Sequence, residues 1–324
     1  MSKRALITGV TGQTGSWLAD LLVEKEYQVY GMVRRSSTPN YQRIRHLLEK
    51  IQLVEGDMAD QTSLDEIIRT FQPDECYNLA AQSHVHTSWS QPFLTIDITG
   101  LGVMRILEAI RKYKPDTKFI QASSSEMFGK AQEVPQTEAT SFWPRSPYGC
   151  AKVLGHWLTV NARESWGAFA CSAICFNKES ERRGLEFVTR KITNAVARIK
   201  SGIQTELRLG NIESIRDWGY SPEYAMGMWL VLQQDRADDF VFATGKIHTV
   251  KEWLETAFAY VGLNWQNHIM IDESLKRPAE VDFLLGDASK AKRILGWEAK
   301  IYFEEIVKKM VDADIELVAK GAKG

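Results

Sequence analysis

The sequence predicts an α/β protein in which a doubly wound parallel sheet is joined by a smaller, interleaved C-terminal α/β domain. In the first half, short β-branched or aliphatic runs alternate with longer segments of helical period, the pattern of βαβ units. A glycine-rich turn follows the first of these runs directly, at residues 9–15. The length of 324 residues is enough for about two domains.

The first half supplies the sheet. The predicted strands lie at residues 4–8, 28–33, 51–55, 75–78, 118–122 and 168–174. The predicted helices between them lie at residues 15–25, 62–71, 92–112 and 147–166. Pro73, Pro115 and Gly167 stand just after helical stretches, where proline cannot continue a helix and glycine tolerates a left-handed cap.

The second half is less regular. Helices are predicted at residues 187–200, 220–233, 250–260 and 302–318, with short strands between them. No flexible linker separates the halves. We therefore predict a first domain over residues 1–175, which also receives a segment near 215–247, and a second domain over 176–324.

Composition excludes several classes of protein. Lys plus Arg total 40 against 41 Asp plus Glu, a net charge of -1, which argues against a polybasic nucleic-acid binder. The longest apolar run has nine residues, Tyr224 to Leu232, whereas a membrane-spanning helix needs roughly 18 or more. The first residues carry no signal-peptide pattern, so the cytoplasm is the expected location. Each of the four cysteines is expected to be a small core residue, and no metal site is expected.

The glycine-rich turn predicts a Rossmann-type site. Glycines at this spacing permit a tight turn and close approach to a pyrophosphate, and the following helix supplies free N–H groups. The alternative is a strand-to-helix turn that merely needs glycine conformations, but its place after the first strand favours dinucleotide binding. The candidate residues are Gly9, Thr11, Gly12, Gln13, Thr14 and Gly15.

The end of the second strand indicates which dinucleotide. An Asp or Glu there usually accepts the ribose 2′-OH of NAD, whereas this chain has Arg34, Arg35, Ser36 and Ser37. Guanidiniums and hydroxyls suit a 2′-phosphate, so NADP is favoured. Alternatively, the arginines are surface charges or face a neighbouring subunit. Asp57, followed by Met58, is a candidate for binding the adenine, or else a turn-forming Asp.

A catalytic set is predicted where the fifth strand and the fourth long helix meet. Tyr148 and Lys152 are four residues apart and share one helix face. An ammonium and a positive nicotinamide would lower the pKa of Tyr148 from about 10 and make it a proton acceptor. Ser124 and Glu126 end the strand that leads into the same crevice. An amphipathic helix face without chemistry is the alternative for the Tyr and Lys pair.

Longer and rarer motifs run nearly end to end, at residues 9–15, 34–37, 78–83, 121–130, 144–148, 187–191, 216–219, 243–245 and 277–282. On these residues the sequence resembles the extended short-chain dehydrogenase/reductase family, and within it the nucleotide-sugar 4,6-dehydratases that act on GDP-mannose. The resemblance implies that Ser124 stands where the family usually has Thr, and that Glu126, Tyr148 and Lys152 complete the catalytic set.

The resemblance also implies ligand contacts. Further cofactor contacts would come from Leu79, Ala80, Ala81, Gln82, Ser83, Leu94, Lys178 and Arg183. Substrate contacts would come from Ser83, Ser124, Ser125, Glu126, Asn177, Val188, Lys191, Gly210, Arg216, Arg277 and Glu280. The cations among them suit a diphosphate, and Glu280 a guanine or ribose edge. Without the resemblance, such cations would more often form a solvated face.

The chemistry implied is an internal redox elimination. Tyr148 would remove the C4 hydroxyl proton while hydride leaves C4 for NADP, and Glu126 would take the C5 proton and help expel the C6 hydroxyl as water. Hydride then returns to C6, giving GDP-4-keto-6-deoxy-D-mannose from GDP-α-D-mannose. A GDP-sugar epimerase or 4-keto reductase needs no base at C5.

Alternatives stay open at this point. They are that epimerase or reductase, a dehydratase of another GDP-sugar such as a heptose, and an idle dinucleotide-binding regulatory protein. The resemblance implies a homodimer through helices 92–112 and 147–166, or a homotetramer in which residues 35–43 reach a neighbour's cofactor site. No nucleic acid or membrane partner is expected.

Departures from the family pattern fall near the site. Thr14 stands for a usual Asp, Glu26 for Gly, Leu94 for Tyr, Lys178 for His, Glu181 for Pro and Ile215 for Lys. The loop around Glu181 is expected to be more mobile and the sugar pocket altered. A left-handed backbone at Glu26 would cost on the order of 1 kcal/mol.

Overall fold

A computed structural model describes residues 2–275, 281 and 283–321 of the chain. Its strands are β1 (Arg4–Thr8), β2 (Gln28–Val33), β3 (Gln52–Glu55), β4 (Glu75–Asn78), β5 (Lys118–Ser124), β6 (Ala170–Cys175), β7 (Asn177–Glu179), β8 (Leu207–Leu209), β9 (Ile215–Arg216), β10 (Trp218–Tyr220), β11 (Phe240–Phe242), β12 (His248–Thr249) and β13 (Ile269–Ile271).

The α-helices alternate with these strands. They are α1 (Gln13–Glu24), α2 (Gln61–Phe71), α3 (Val85–Ser90), α4 (Pro92–Ile96), α5 (Gly102–Tyr113), α6 (Pro147–Trp166), α7 (Val188–Lys200), α8 (Ser221–Leu232), α9 (Val250–Tyr260), α10 (Ser289–Leu295) and α11 (Phe303–Ala319). None of the helices in these described ranges is long and apolar enough to cross a membrane.

The central sheet has seven parallel strands in the order β11-β6-β5-β4-β1-β2-β3. Successive residues of β1 pack on opposite faces of the sheet. Ile7 packs in one buried cluster with α1 and α8, and Leu6 packs in another with α2 and α5. The order reverses between β1 and β4, and sheets of this kind bind ligands at the carboxyl ends there. The predicted doubly wound α/β fold is confirmed.

The second half forms smaller units. Three two-stranded pairs, β7 with β10, β9 with β12 and β8 with β13, accompany α7, α9 and α11. A separate apolar cluster lies among those helices and includes Trp218, Trp253 and Phe303. The predicted domain boundary at residues 175 and 176 stays a prediction. The strand β11, which lies within the segment 215–247, pairs with β6 in the central sheet.

The predicted helix over residues 92–112 is confirmed as a continuous helical segment, but its middle contains a π-helical turn that was not predicted. It is α4, a π-helical turn over Asp97–Leu101, and α5. Two glycines let this segment approach its neighbours closely. A Cβ on Gly100 would lie 2.9 Å from Leu154 Cδ2, and one on Gly102 would lie 3.0 Å from Met58 Cβ. Helical periodicity alone carries no sign of these tertiary contacts.

Two other expectations have definite outcomes. Glu26 has φ of 61° and is therefore left-handed, as considered for a position where the family has Gly. The cysteines are free, and Cys76, Cys171 and Cys175 are buried. The expectation of a core residue is wrong for Cys150, which is exposed because it lies between the inward-facing Gly149 and Ala151 on α6.

Candidate active site

A cavity of about 870 Å³ runs along the carboxyl ends of the sheet strands and continues into the second half of the chain. Most of the site residues predicted from the sequence line it. Three do not, namely Arg35, Ser36 and Ser37, which are exposed beyond the end of β2. Arg277 and Glu280 lie outside the described residues.

The glycine turn forms one end of this cavity. Gly9 has φ of +70°, and Gly12 N–H donates to Gly9 O at 3.0 Å. A Cβ on Gly15 would lie 2.2 Å from Gly9 O, so the turn and the start of α1 require glycine there. No side chain caps the N-terminus of α1, and its first turn lines the cavity. Its N–H groups and partial positive charge suit an anionic group.

Side chains of the turn also tie it to the second half. Gln13 Nε2 donates to Lys178 O at 2.9 Å, and Ser180 Oγ donates to Gln13 Oε1 at 2.9 Å. Thr14, where the family usually has Asp, shares a buried hydrogen bond of 3.0 Å with Ser221 on α8. The turn thereby fixes the position of the loop that follows β7.

The end of β2 and the loop after β3 line the next part of the cavity, through Arg34, Asp57 and Met58. Asp57 Oδ1 accepts a 2.9 Å hydrogen bond from the N–H of Ala59, the contact of a turn-forming Asp. Asp57 both lines the cavity and makes the turn contact. The two interpretations made from the sequence, an adenine-binding Asp and a turn-forming Asp, are therefore compatible.

Tyr148 and Lys152 enter the cavity from the first turns of α6. Pro147 opens this helix, and Ser146 Oγ caps it by accepting Gly149 N–H at 3.0 Å. Lys152 Nζ lies 5.7 Å from the centre of the Tyr148 ring and donates to Ala122 O on β5 at 2.6 Å. The lysine is thus held between Tyr148 and the sheet.

Burial sets the charge state of this pair. It raises the pKa of Tyr148 well above its ordinary value, although the hydrogen bond with Ser124 lowers it. The sequence-based expectation of a lowered pKa, which relied on an ammonium together with a positive nicotinamide, is therefore not met by the protein chain itself. Burial, aided by the charge of Lys178, lowers the pKa of Lys152 to about 7. Lys152 can consequently gain or lose a proton near neutral pH.

Ser124 and Glu126 complete this part of the cavity. Ser124 ends β5, and its Oγ accepts the N–H of Glu126 at 3.2 Å. Glu126 lies in a short 3₁₀ turn, Ser125–Met127, is 9% exposed and lines the cavity. Its charge contributes to the raised pKa of Tyr148, which indicates that carboxylate and phenol are neighbours.

The opposite wall comes from the second half of the chain, through Asn177, Lys178, Val188, Lys191, Gly210 and Arg216. Lys191 is exposed at the start of α7, whereas Arg216 is buried. Arg216 Nη1 donates to Ile215 O at 2.7 Å and to Val281 O at 2.8 Å. Part of this guanidinium therefore fixes the chain backbone.

The loop after β7 departs from the family pattern at Glu181 and is tied down by charged groups. Tyr220 O–H lies 3.1 and 3.2 Å from the two Glu181 carboxylate oxygens. Arg182 pairs with Asp20 on α1 at 2.6 Å, and Arg183 with Glu179 at 3.1 Å. Greater mobility of this loop stays a prediction.

Several lining residues were missed from the sequence, among them His84, His86, Phe187 and Trp218. The ring of His84 meets that of Phe187 edge to face at 5.7 Å. Each of these residues lies inside or next to a motif named above, so proximity to a motif was the available signal. Nothing in their residue types alone indicated a cavity.

Comparisons with known proteins agree on one family. The family model described as GDP-mannose 4,6 dehydratase matches residues 6–310. The chain is 52% identical to GDP-mannose 4,6 dehydratase 1 of Arabidopsis thaliana, covering 98% of this chain and 91% of that protein. It is 46% identical to the human GDP-mannose 4,6 dehydratase, with 97% and 92% covered.

Solved structures share the fold. The UDP-glucose 4-epimerase of Thermotoga maritima, solved with UDP-glucose, superimposes with a TM-score of 0.86 at 25% identity and covers 97% of this chain and 99% of its own. RMD from Pseudomonas aeruginosa, complexed with NADPH, has a TM-score of 0.81 at 21% identity, with 97% and 99% covered.

Proposed function

The chain belongs to the GDP-mannose 4,6-dehydratase family, and on that premise we propose that it converts GDP-α-D-mannose into GDP-4-keto-6-deoxy-D-mannose and water with bound NADP. The observation that carries the proposal is that Ser124, Glu126, Tyr148 and Lys152 line one cavity, which also extends to cations on α7 and β9. An epimerase or reductase on this fold would not need the carboxylate at that place.

The residues present fit a dinucleotide. A Cβ would fill the space at Gly15, and the uncapped first turn of α1 offers N–H groups to a pyrophosphate. Arg34 lines the cavity at the end of β2, where a carboxylate would favour NAD, which supports NADP. When bound, NADP supplies the oxidation at C4 of the sugar and the later reduction at C6.

The proton transfers fall to the protein. Tyr148, hydrogen-bonded to Ser124, acts as a phenolate that the nearby ammonium of Lys152 stabilises, and it becomes a phenol when it takes the proton of the C4 hydroxyl. That proton balances the one that C5 regains when C6 is reduced. Glu126 takes the C5 proton, which the 4-keto group has made acidic, and delivers a proton to the departing C6 oxygen. Burial of these groups excludes water and strengthens their mutual interactions.

The substrate diphosphate is assigned to the wall formed by Asn177, Lys191 and Arg216. Arginine and lysine donors suit phosphate oxygens. Arg216 Nη1 already donates to two backbone carbonyls, so this nitrogen serves the chain itself and not the diphosphate. The guanine contacts of Arg277 and Glu280 rest on the family pattern alone.

The test is incubation of the purified protein with GDP-mannose and no added reductant. A product with a keto group at C4 and a deoxygenated C6 supports the proposal. Unchanged substrate, or a product that keeps its C6 hydroxyl, contradicts it. Release of a hydroxylated C4 epimer would favour the epimerase alternative.

Glu126→Gln separates dehydration from the other chemistries of this fold. The amide keeps the shape but cannot accept the C5 proton, so we expect turnover to fall by about 100-fold or more. Glu133→Gln, on the exposed segment before α6, is the matched control and should keep full activity. Undiminished turnover in Glu126→Gln would show that this carboxylate is not the base that takes the C5 proton.

We further propose that the protein is a homodimer. Apolar side chains are exposed on the α3 to α5 segment and on α6, most of all Phe93 at 88%, with Trp89, Leu101 and Trp157. Such patches are typical of interfaces. Arg43 donates within its own chain to Arg182 O at 2.6 Å and Thr11 O at 3.3 Å, which gives no support to the tetramer. Light scattering should give twice the chain mass of 36.8 kDa.

A further inference from the structure

The last helix of the chain reaches the wall of the active-site cavity through one buried ion pair. Asp314 on α11 is completely buried. Its oxygens accept Arg190 Nε at 2.9 and 2.8 Å, and Arg190 Nη2 lies 2.7 Å from Asp314 Oδ1. Thr193 Oγ1 at 2.7 Å and Asn194 Nδ2 at 3.3 Å add to this set. The carboxylate is therefore fully engaged with one face of α7.

The remaining nitrogen of the same guanidinium, Nη1, binds the loop after β7. Arg190 Nη1 donates to the backbone carbonyl of Glu181 and, at 3.1 Å, to that of Arg183. These carbonyls flank Arg182, which pairs with Asp20 on the glycine-turn helix. One side chain thus joins the C-terminal helix to a loop that also contacts the cofactor end of the cavity.

Residues on either side of Arg190 serve the same wall. Thr189 Oγ1 donates to Glu179 at 2.6 Å, and Glu179 pairs with Arg183, which lines the cavity. Lys191 also lines the cavity. Three consecutive residues at the start of α7 are therefore directed at the loop, its backbone and the ligand space.

A purely stabilising role is the competing explanation, but buried ion pairs are weak evidence for stability because desolvation offsets their attraction. To stabilise the packing of α7 against α11, Arg190 would need only its contact with Asp314. The two bonds to loop carbonyls come from Nη1, a different nitrogen from those that contact Asp314, and they restrict the loop instead.

We propose that Arg190, oriented by Asp314, is a positioning residue that holds residues 179–183 in the geometry needed to bind cofactor and substrate. Arg190 is not among the residues that line the cavity, and it acts through Arg183 and the loop backbone. The proposal deepens the proposed function and rests on it for the identity of the ligands.

Arg190→Lys tests this role. Lysine keeps a cation beside Asp314 but lacks the planar fork that reaches both the carboxylate and two carbonyls. We expect the dissociation constants of NADP and of GDP, measured by calorimetry, to rise about tenfold, the loss of one charged hydrogen bond. We expect kcat at saturation within about threefold of wild type, because the catalytic groups are untouched.

Hydrogen exchange supplies a second measurement. The amides of residues 180–187 should exchange faster in Arg190→Lys, while the strands of the central sheet keep their protection. Arg198→Lys on the same helix is the matched control. Within the described chain, the Arg198 side chain donates one hydrogen bond, to Gln204 Oε1 at 3.1 Å. This control should bind both ligands as wild type does.

Unchanged affinities and unchanged exchange, with a lower melting temperature, would overturn the proposal and leave a structural ion pair. If Arg190→Lys fails to fold, Asp314→Asn answers the same questions, because the amide keeps the side-chain shape but weakens the hold on Arg190. Failure of the proposed function is distinguishable, because NADP and GDP affinities are measured without turnover of GDP-mannose.

Discussion

The two walls of the cavity are built in different ways. The cofactor wall is made from the ends of β1, β2, β4 and β5 and from the first turns of α1 and α6, so the ladder of the seven-stranded sheet fixes its backbone. The opposite wall is made from loops, from strands of two or three residues and from the start of α7. Ion pairs and side-chain bonds to carbonyls hold it.

The difference shows what determines the backbone geometry of each wall. On the cofactor wall, local rules decide the backbone, as at Gly15, where no side chain fits. On the opposite wall, partners distant in sequence decide it, as with Arg190 and Asp314, which are 124 residues apart. We therefore expect substitutions on the first wall to abolish chemistry and those on the second to weaken binding.

The largest expected effect is that of Tyr148→Phe on the first wall. Loss of the phenol removes the proposed proton acceptor at C4, and we expect turnover of GDP-mannose to fall by about 1000-fold or more. NADP affinity, measured by calorimetry, should change little. Tyr260→Phe, at an exposed position on α9, is the control. A variant that turns over as wild type would mean that another group is the base.

Lys152→Met should also abolish turnover while stabilising the protein. Burial lowers the pKa of Lys152 from 10.5 to about 7, so between pH 7 and 10.5 the unfolded chain binds more protons than the folded one. The free energy of unfolding of the wild type therefore increases as pH rises across that window. The variant lacks this increase.

Urea unfolding at pH 7 and pH 9.5 measures the effect. At pH 7 we expect the variant to be more stable than wild type by roughly 1–3 kcal/mol, a difference that shrinks at pH 9.5. Equal pH dependence in both proteins would contradict the lowered pKa of the buried Lys152.

A smaller effect is expected on the second wall, at Glu181 and Tyr220. Removing their hydrogen bonds with Glu181→Ala or Tyr220→Phe should raise KM about two- to fivefold with kcat unchanged. Because the two side chains contact each other, the double variant should resemble each single one. Additive effects, or a loss of kcat, would place these residues in different roles.

The smallest effect lies outside both walls. Glu26 is exposed and left-handed, with φ of 61°. Glu26→Gly should therefore stabilise the protein by about 1 kcal/mol and leave kcat and KM unchanged. Thermal unfolding at neutral pH is the measurement, and a lower melting temperature would refute the strain argument.

The two walls also differ in what the sequence predicted. The bounds of α6 agree with the prediction at both ends because local signals set them: Ser146 caps it, Pro147 opens it and Gly167 closes it in a left-handed conformation. The π-helical turn at Asp97–Leu101 escaped prediction because it depends on how closely Gly100 and Gly102 approach distant side chains.

For the site, too, the sequence predicted some properties and not others. The residue types and spacing of Ser124, Glu126, Tyr148 and Lys152 predicted a shared crevice, and all four side chains line the cavity. Their charge states were not predictable, because burial raises the pKa of Tyr148 and lowers that of Lys152, and burial is a property of the assembled chain. The bond of Arg216 to Val281 O likewise had no local signal.

The strand β11 has a consequence for the order in which the chain is made. It pairs with β6, yet residues 176–239 are synthesised between the two strands. A chain emerging from the ribosome therefore carries β6 with one edge unpaired until residue 242 has appeared. Unpaired edges invite association with other chains. The nascent protein therefore exposes β6, an interior strand of the finished sheet, as an edge until β11 docks.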